Sequence, residues 1–211
     1  MDLETHAFVT QLRGVYGIVN EGERDPIALT YAILRGGARL VQYRAKAGIV
    51  PDRVRAIRAA TREARALFIL NDDWPAVEEF DADGVHVGPD DVAFGDLARV
   101  RERVRGRILG VSCGTQDEAK LARAAGADYL GVGSVFPTPS KADAGAPIGI
   151  EGLQRVAAAA SLPVAAIGGI TAQNIALVRD TGVAMAAVIS AIAASADPQS
   201  ATADLVARWN A

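Results

Sequence analysis

One group of polar residues that could bind an anion stands at the end of an apolar segment. Residues 38–44 read ARLVQYR, and Lys46 lies two positions further on. In an extended strand Gln42, Arg44 and Lys46 alternate onto one side, which gathers an amide and two cations suited to phosphate oxygens. A solvated strand end is the alternative. Gln42 lies inside the apolar run, however, and this favours an anion site.

Carboxylates follow the next two apolar segments. LFILN is followed by Asp72 and Asp73, and GVHVGP is followed by Asp90 and Asp91. Each pair alone is typical of a turn or a helix cap. Neighbouring strand ends would bring both carboxylate pairs near Arg44 and Lys46, so the two pairs together predict a Mg²⁺ site. In such a site one or two carboxylates suffice, because waters and substrate phosphate oxygens complete the coordination shell. His86, within the strand pattern itself, is expected to be structural.

A phosphate site made by the backbone is predicted where the last two apolar segments end. The seventh ends in Gly168-Gly169, and the eighth leads into Ile189 and Ser190. In phosphate-binding barrels these two loops usually hold the phosphate through backbone N–H groups. Earlier in the chain, Cys113 has no His or Asp nearby to activate it, so a nucleophilic role is not expected.

The longest break between apolar segments, residues 134–149, is predicted to be an active-site loop. It reads SVFPTPSKADAGAPIG and carries two hydroxyls, on Thr138 and Ser140, followed by the ammonium group of Lys141. Loops of this length without secondary structure are commonly functional or mobile. We expect this one to close over the site.

The elements that must position these residues are eight short apolar segments, each followed by a segment with helical spacing. Near-continuous apolar character is typical of parallel strands that are buried on both faces. Eight strand–helix units predict a single-domain (β/α)8 TIM barrel over residues 1–211, and the strand count favours it over a doubly wound open sheet. Helices are expected over 52–66 and 116–125, with Thr115 and Thr171 as N-caps. The predicted strands are 14–19, 38–44, 67–71, 84–88, 107–112, 128–133, 162–169 and 184–190.

Composition excludes several classes of protein. Of 211 residues, 42 are Ala and 21 are Gly, and the hydrophobic fraction of 50% is too high for a disordered chain. A net charge of −3 offers no basic excess for nucleic acid. Cys113 is the single cysteine, which excludes an internal disulfide and fits a reducing compartment. We see neither a signal peptide nor an apolar run long enough to span a membrane, so a cytoplasmic protein without membrane partners is expected.

The residues together predict a metal-dependent transferase that acts on two phosphorylated small molecules. A cationic and metal-binding group at strands two to four suits a diphosphate, and the predicted backbone site at strands seven and eight suits a second phosphate. No lysine is embedded in an apolar strand, which makes a Schiff base less favoured. No glycine fingerprint follows strand one, so a dinucleotide is not expected.

The ordered motifs resemble those of the thiamine-phosphate synthase family, also called thiamine-phosphate pyrophosphorylase. The match runs from about residue 15 to residue 198 and is carried by VQYRAK, ILNDDW, GVHVGPDD, LGVSCGT, GVGSVFPTPSK, AIGGI and AVISAI. The resemblance implies a transferase that joins hydroxymethylpyrimidine diphosphate to hydroxyethylthiazole phosphate. The implied products are thiamine phosphate and diphosphate, with Mg²⁺ as the cofactor and a carbocation-like, dissociative mechanism.

The resemblance also implies roles for individual residues. The pyrimidine diphosphate would be bound by Gln42, Arg44, Lys46, Asn71, Ser112 and Lys141, of which Arg44, Ser112 and Lys141 would be catalytic. The thiazole phosphate would be bound by Thr138, Ser140, Gly169, Ile189 and Ser190. Asp72 and Asp91 would hold Mg²⁺.

The sequence departs from the family pattern at two positions, and two alternative functions are considered beside the synthase. Ser140 replaces a frequent Thr and keeps the hydroxyl, and Asn20 stands where Asp is frequent. The related thiazole tautomerase tends to lack the basic and metal-binding set and has a His after strand five, whereas this chain has Ser112-Cys113-Gly114. A non-catalytic phosphate-binding protein would tolerate loss of the metal-binding residues. The sequence leaves open whether the chain forms a homo-oligomer.

Overall fold

The chain forms a closed barrel of eight parallel strands. The computed structural model describes residues 9–22, 24–138 and 146–211. Each strand pairs with the next, and the first closes the barrel against the last, with Gly14 opposite Met185. This closure confirms the predicted barrel and excludes the open sheet. The strands are β1 (Gly14–Asn20), β2 (Leu40–Arg44), β3 (Leu67–Asn71), β4 (Gly84–Val87), β5 (Ile108–Cys113), β6 (Tyr129–Val132), β7 (Val164–Ile167) and β8 (Met185–Val188).

Helices surround the barrel and connect its strands. The described helices are α1 (Pro26–Arg35), α2 (Pro51–Glu63), α3 (Leu97–Arg103), α4 (Gln116–Ala124), α5 (Gly149–Ala160), α6 (Ile175–Arg179), α7 (Ser190–Ala193) and α8 (Pro198–Asn210). Short 3-10 turns cover Trp74–Ala76 and Phe94–Asp96. Thr115 caps α4 as predicted, in a reciprocal capping box with Glu118.

Several predicted helix and strand ends differ from the structure by a few residues, and two of the differences concern the predicted site. Thr171 does not cap a helix, because α6 begins four residues later; its hydroxyl accepts from the N–H of Gln173 at 3.3 Å. The last strand ends at Val188 rather than 190, and Ser190 instead begins the short helix α7. The second change places Ser190 at the carboxyl end of the barrel, where the predicted phosphate site requires it.

The hydrophobic core has two layers, one on each side of the sheet. Alternate residues of the strands point into the barrel, and the remainder pack against the helices. In β2, Leu40 belongs to the inner layer, whereas Val41 and Tyr43 belong to the outer layer. This alternation places Gln42 and Arg44 on one side of the strand, as predicted, and that side faces into the barrel.

Buried ion pairs hold the amino-terminal ends of two strands. Asp83 lies just before β4, accepts from the backbone N–H of Phe68 at 2.8 Å and pairs with Arg58 at 2.8 Å. Asp128 repeats the arrangement before β6, accepting from Leu109 N–H and from Arg101, each at 2.8 Å. These carboxylates fix strand positions at the amino-terminal end of the barrel, where conserved interactions typically serve stability. Among the described residues, no helix combines the length and apolar character that crossing a membrane requires.

Candidate functional site

A cavity of about 730 Å³ opens at the carboxyl ends of the strands. Predicted site residues from all parts of the chain line it together: Gln42, Arg44, Lys46, Asn71, Asp72, Asp91, Ser112, Thr138, Gly169, Ile189 and Ser190. Asp73 and Asp90 line it as well. Ser140 and Lys141 lie outside the described residues. The described residues of both predicted anion sites therefore line one cavity.

The basic wall of the cavity is built on β2 and supported by β1. Arg44 ends β2, and its guanidinium donates to the side-chain oxygen of Asn20 at 3.4 Å. Asn20 is only 9% exposed, so this contact orients the arginine from a buried position. Lys46 lies beyond the end of the strand and still lines the cavity. Asn20 stands where the family frequently has Asp, and this difference has a structural consequence. The neutral amide of Asn20 orients Arg44 but does not neutralise its positive charge.

The acidic wall brings two carboxyl groups together. Asp72 follows β3 with a φ of 63°, and its N–H donates to the carbonyl of His86 at 2.8 Å. Burial raises the pKa of Asp72 to about 6, with further contributions from the charge of Asp91 and from a hydrogen bond with its carboxyl group. The N–H of Gly88 and the charge of Arg44 act in the opposite direction.

This carboxylate pair fits a Mg²⁺ ion. A cation between the two groups would relieve the repulsion from Asp91, which adds to burial in raising the pKa of Asp72. Within the described ranges, no group of three or more His, Cys, Asp or Glu side chains comes together that could hold a metal. Two carboxylates match a Mg²⁺ ion whose remaining ligands come from water and substrate phosphate, and they do not make an all-protein cage.

The side of the cavity where the sequence predicts a phosphate site depends on close backbone packing between the loops after β6 and β7. A Cβ atom on Gly169 would stand 2.4 Å from the carbonyl oxygen of Pro137, and φ at Gly169 is 63°. Asn174 holds the same loop, donating to the carbonyl of Gly169 at 2.9 Å and accepting from Thr171 N–H at 2.8 Å. Sequence reasoning missed Asn174, although an amide three residues after Thr171 is a common turn signal.

A chain of hydrogen bonds crosses the barrel beneath the cavity and ends at Ser112. The amide nitrogen of Gln42 donates to the Tyr16 hydroxyl at 2.8 Å, and the hydroxyls of Tyr16 and Tyr129 are 3.0 Å apart. The Tyr129 hydroxyl is 2.9 Å from Nδ1 of His86, and Nε2 of His86 is 2.9 Å from Oγ of Ser112. His86 lies in a strand as predicted, yet it also lines the cavity. Burial lowers its pKa to about 4, which keeps the ring neutral.

Cys113 lines the cavity as a protonated thiol. Burial, followed by the charge of Glu118, raises the pKa of Cys113 to about 12. Its sulfur lies 3.8 Å from the carbonyl of Val111, and the residue is 3% exposed. A thiol in this state is a poor nucleophile, which agrees with the expectation from the sequence.

Comparison with known proteins gives a consistent family assignment. The family model described as thiamine monophosphate synthase matches residues 15–192. A thiamine-phosphate synthase of Archaeoglobus fulgidus is 49% identical over 178 residues, covering 82% of this chain and 81% of the relative. One of Caldivirga maquilingensis is 39% identical over 203 residues, covering 94% and 97%. A solved thiamine phosphate pyrophosphorylase of Pyrococcus furiosus superposes with a TM-score of 0.88 at 35% identity, covering 96% and 98% of the two chains.

Proposed function

Because the chain belongs to the thiamine-phosphate synthase family, we propose that it condenses hydroxymethylpyrimidine diphosphate with hydroxyethylthiazole phosphate. The products are thiamine phosphate and diphosphate, and Mg²⁺ is required. The observation that carries this proposal is one cavity with two different anion-binding walls. Arg44, Lys46 and the Asp72–Asp91 pair occupy one wall, and the glycine-rich loop after β7 occupies the other.

The two walls lie on opposite sides of the barrel, which suits a reaction between two bound molecules. In the strand order, β2 to β4 lie across from β6 to β8. A diphosphate on the first side and a phosphate on the second would direct the reactive parts of both substrates toward the middle of the cavity. Holding two reactants in this way removes much of the entropic cost of bringing them together.

The residue types suit loss of diphosphate before attack by the thiazole nitrogen. The bond between the pyrimidine methylene carbon and the diphosphate oxygen breaks first, and its electron pair leaves with the diphosphate. The thiazole nitrogen then donates its electron pair to the methylene carbon. Arg44, Lys46, Ser112 and Lys141 would stabilise the charge on the departing oxygens. Asp72 and Asp91 would hold Mg²⁺, which supplies additional neutralisation of the diphosphate.

This reaction needs no nucleophile from the protein, and the state of Cys113 agrees with that. The thiol is buried and its pKa is far above neutrality. The metal-binding and basic residues also favour the synthase over a thiazole tautomerase. After β5 the chain has Ser112-Cys113-Gly114 rather than a histidine.

Diphosphate release tests the proposal directly. The protein is mixed with Mg²⁺ and with each substrate alone or both together, and diphosphate and thiamine phosphate are quantified. Release only when both substrates are present, in equal amounts with thiamine phosphate, supports the synthase. Binding of both substrates without turnover would instead indicate a non-catalytic phosphate-binding protein. Lys141→Ala should reduce turnover strongly, whereas Lys120→Ala, on exposed α4, should not.

A further inference from the structure

Five side chains from five strands form the hydrogen-bonded chain beneath the cavity. In order they are Gln42, Tyr16, Tyr129, His86 and Ser112, joined by contacts of 2.8, 3.0, 2.9 and 2.9 Å. Tyr16, Gln42, His86 and Ser112 line the cavity, and Tyr129 lies fully buried below them. We define these five residues as the polar chain.

The donor-to-acceptor order of the hydrogen bonds along the polar chain starts from the Gln42 amide. The Gln42 amide nitrogen can only donate, so the Tyr16 oxygen accepts there. Tyr129 is the second hydrogen-bond partner of the Tyr16 hydroxyl, and either hydroxyl of this pair can be the donor. When the Tyr16 hydroxyl donates to Tyr129, Tyr129 donates to Nδ1 of His86 and the His86 proton lies on Nε2.

The last step of the polar chain fixes the Ser112 hydroxyl. Nε2 of His86 lies 2.9 Å from Oγ of Ser112, so a proton on Nε2 would be donated to Ser112 and would direct the Ser112 proton away from the ring. Because Ser112 lines the cavity, its O–H becomes a donor toward a bound ligand. Were the polar chain reversed, Ser112 would donate to His86 and would present a lone pair to the ligand instead.

Two glycines provide the space that the rings need. A Cβ atom on Gly110 would stand 2.2 Å from the Tyr129 ring, and one on Gly131 would stand 2.8 Å from Cε1 of His86. Gly110 lies directly opposite both His86 and Tyr129 in the strand pairing. The sheet is thus built to admit these two side chains in contact with each other.

We propose that the polar chain holds His86 in its Nε2–H tautomer and thereby fixes Ser112 as a hydrogen-bond donor to the diphosphate. His86, Tyr129 and Tyr16 are positioning residues, since they act through Ser112. This role rests on the proposed function, because a negatively charged diphosphate oxygen requires a donor. A donor already oriented in the free enzyme does not have to reorient during the reaction.

The tautomer can be measured without substrate. The chain has two histidines, His6 and His86, so ¹⁵N-histidine labelling gives a simple spectrum, and His6→Gln assigns it. We expect long-range ¹H–¹⁵N correlations to show a protonated Nε2 and an unprotonated Nδ1 for His86. Tyr129→Phe removes the donor to Nδ1 and should shift the population toward the other tautomer. A wild-type His86 protonated on Nδ1 would overturn the proposal, since the Gln42 oxygen would then face Tyr16.

Tyr43→Phe is the matched control for loss of a buried phenol. Tyr43 is fully buried in the outer layer, and its hydroxyl donates to Glu21 at 2.5 Å. This variant should leave the His86 tautomer unchanged. If it shifts the tautomer as far as Tyr129→Phe does, the effect is a general loosening of the barrel and the proposal is wrong.

A double-mutant cycle tests whether Tyr129 acts through Ser112. We expect Ser112→Ala to lower kcat about 100-fold, the loss typical of one oriented donor. Tyr129→Phe, which leaves the Ser112 hydroxyl in place but unoriented, should lower kcat about tenfold with little change in KM. In the Ser112→Ala background, Tyr129→Phe should not lower kcat any further. If the fold-losses of kcat in the two single variants multiply in the double variant, the positioning role is refuted. If the wild-type protein releases no diphosphate, the proposed function is refuted instead.

Discussion

The carboxyl groups of Asp72 and Asp91 lie within hydrogen-bonding distance of each other at the ends of β3 and β4. Burial and this contact raise the pKa of Asp72 to about 6. Below about pH 6, and without a cation, the pair holds a proton. A divalent cation would replace that proton, so metal binding and protonation at this site compete.

Mg²⁺ affinity should therefore depend on pH. Below pH 6 Asp72 is protonated, and binding must displace its proton, so the affinity should fall by up to about tenfold for each pH unit. Above pH 7 it should reach a plateau. Titration calorimetry at pH 5 and pH 7.5 measures the difference. Asp117→Asn, an exposed carboxylate on α4, should keep the same pH dependence, and a pH-independent affinity in the wild type would contradict the assignment.

Removing either carboxylate should impair turnover more than folding. Asp72→Asn and Asp91→Asn each delete one ligand charge while keeping side-chain size, and they relieve the repulsion between the two groups. We expect kcat at limiting Mg²⁺ to fall by about 100-fold, as for loss of a major source of charge stabilisation. High Mg²⁺ should recover part of the activity. Activity equal to the wild type at limiting Mg²⁺ in both variants would show that the metal binds elsewhere.

Acid should destabilise the protein through His86. Its pKa is 6.5 in the unfolded chain and about 4 in the fold, so the neutral ring stabilises the fold above pH 6.5 and this contribution is lost as the pH falls toward 4. At about 1.4 kcal/mol per pKa unit, the upper limit is about 3.5 kcal/mol. The expected loss is smaller, because one edge of the ring opens onto the cavity. The free energy of unfolding in urea, measured at pH 7 and pH 4.5, should show this loss.

The test needs to separate His86 from Asp72, which acts in the opposite direction. The raised pKa of Asp72 means that, without Mg²⁺, its contribution to stability falls as the pH rises from about 4 to 6. We therefore compare Asp72→Asn with Asp72→Asn/His86→Gln in Mg²⁺-free buffer. The loss of unfolding free energy in acid should be present in Asp72→Asn and largely absent from Asp72→Asn/His86→Gln. If the unfolding free energy of both variants depends on pH in the same way, His86 is not the source of the loss.

The barrel could be predicted from the sequence because parallel strands buried on both faces leave a local signature. The alternation in β2 also predicted that Gln42 and Arg44 share one side of the strand, since relative side-chain direction along a strand depends on local geometry. The contact between Tyr16 and Tyr129 could not be predicted in this way. These residues are 113 positions apart, and their meeting depends on how strands across the barrel are staggered.

The N-cap predicted at Thr171 failed for a different reason. Thr171 is a good capping residue, but Asn174 accepts from its N–H and donates to Gly169, which builds a turn before the helix. When two polar side chains within four residues can each bond to the backbone, the sequence alone does not determine which residue precedes the helix. The outcome matters for the site, because this turn holds the glycine that approaches the loop after β6.

Gly169→Ala should weaken binding of the thiazole phosphate. The added methyl group would stand 2.4 Å from the carbonyl of Pro137, so the two loops must separate. We expect KM for the thiazole phosphate to rise about tenfold, with little change in KM for the pyrimidine diphosphate. Gly182→Ala is the matched control, since Gly182 also has a positive φ, of 81°, but a Cβ atom there meets nothing within 4 Å. Equal effects on KM would attribute the result to backbone strain rather than to contact at the site.

Asp128→Ala should destabilise the fold without changing the chemistry. The substitution leaves the N–H of Leu109 and the partly buried guanidinium of Arg101 without their shared acceptor at the amino-terminal end of the barrel. Unpaired buried groups of this kind cost about 2–4 kcal/mol in the free energy of unfolding. Asp117→Ala, which breaks an exposed pair with Lys120, should cost less than about 1 kcal/mol. Urea unfolding measures both, and kcat at a temperature where both variants are folded should match the wild type. A large loss of kcat in folded Asp128→Ala would mean that the two ends of the barrel are coupled.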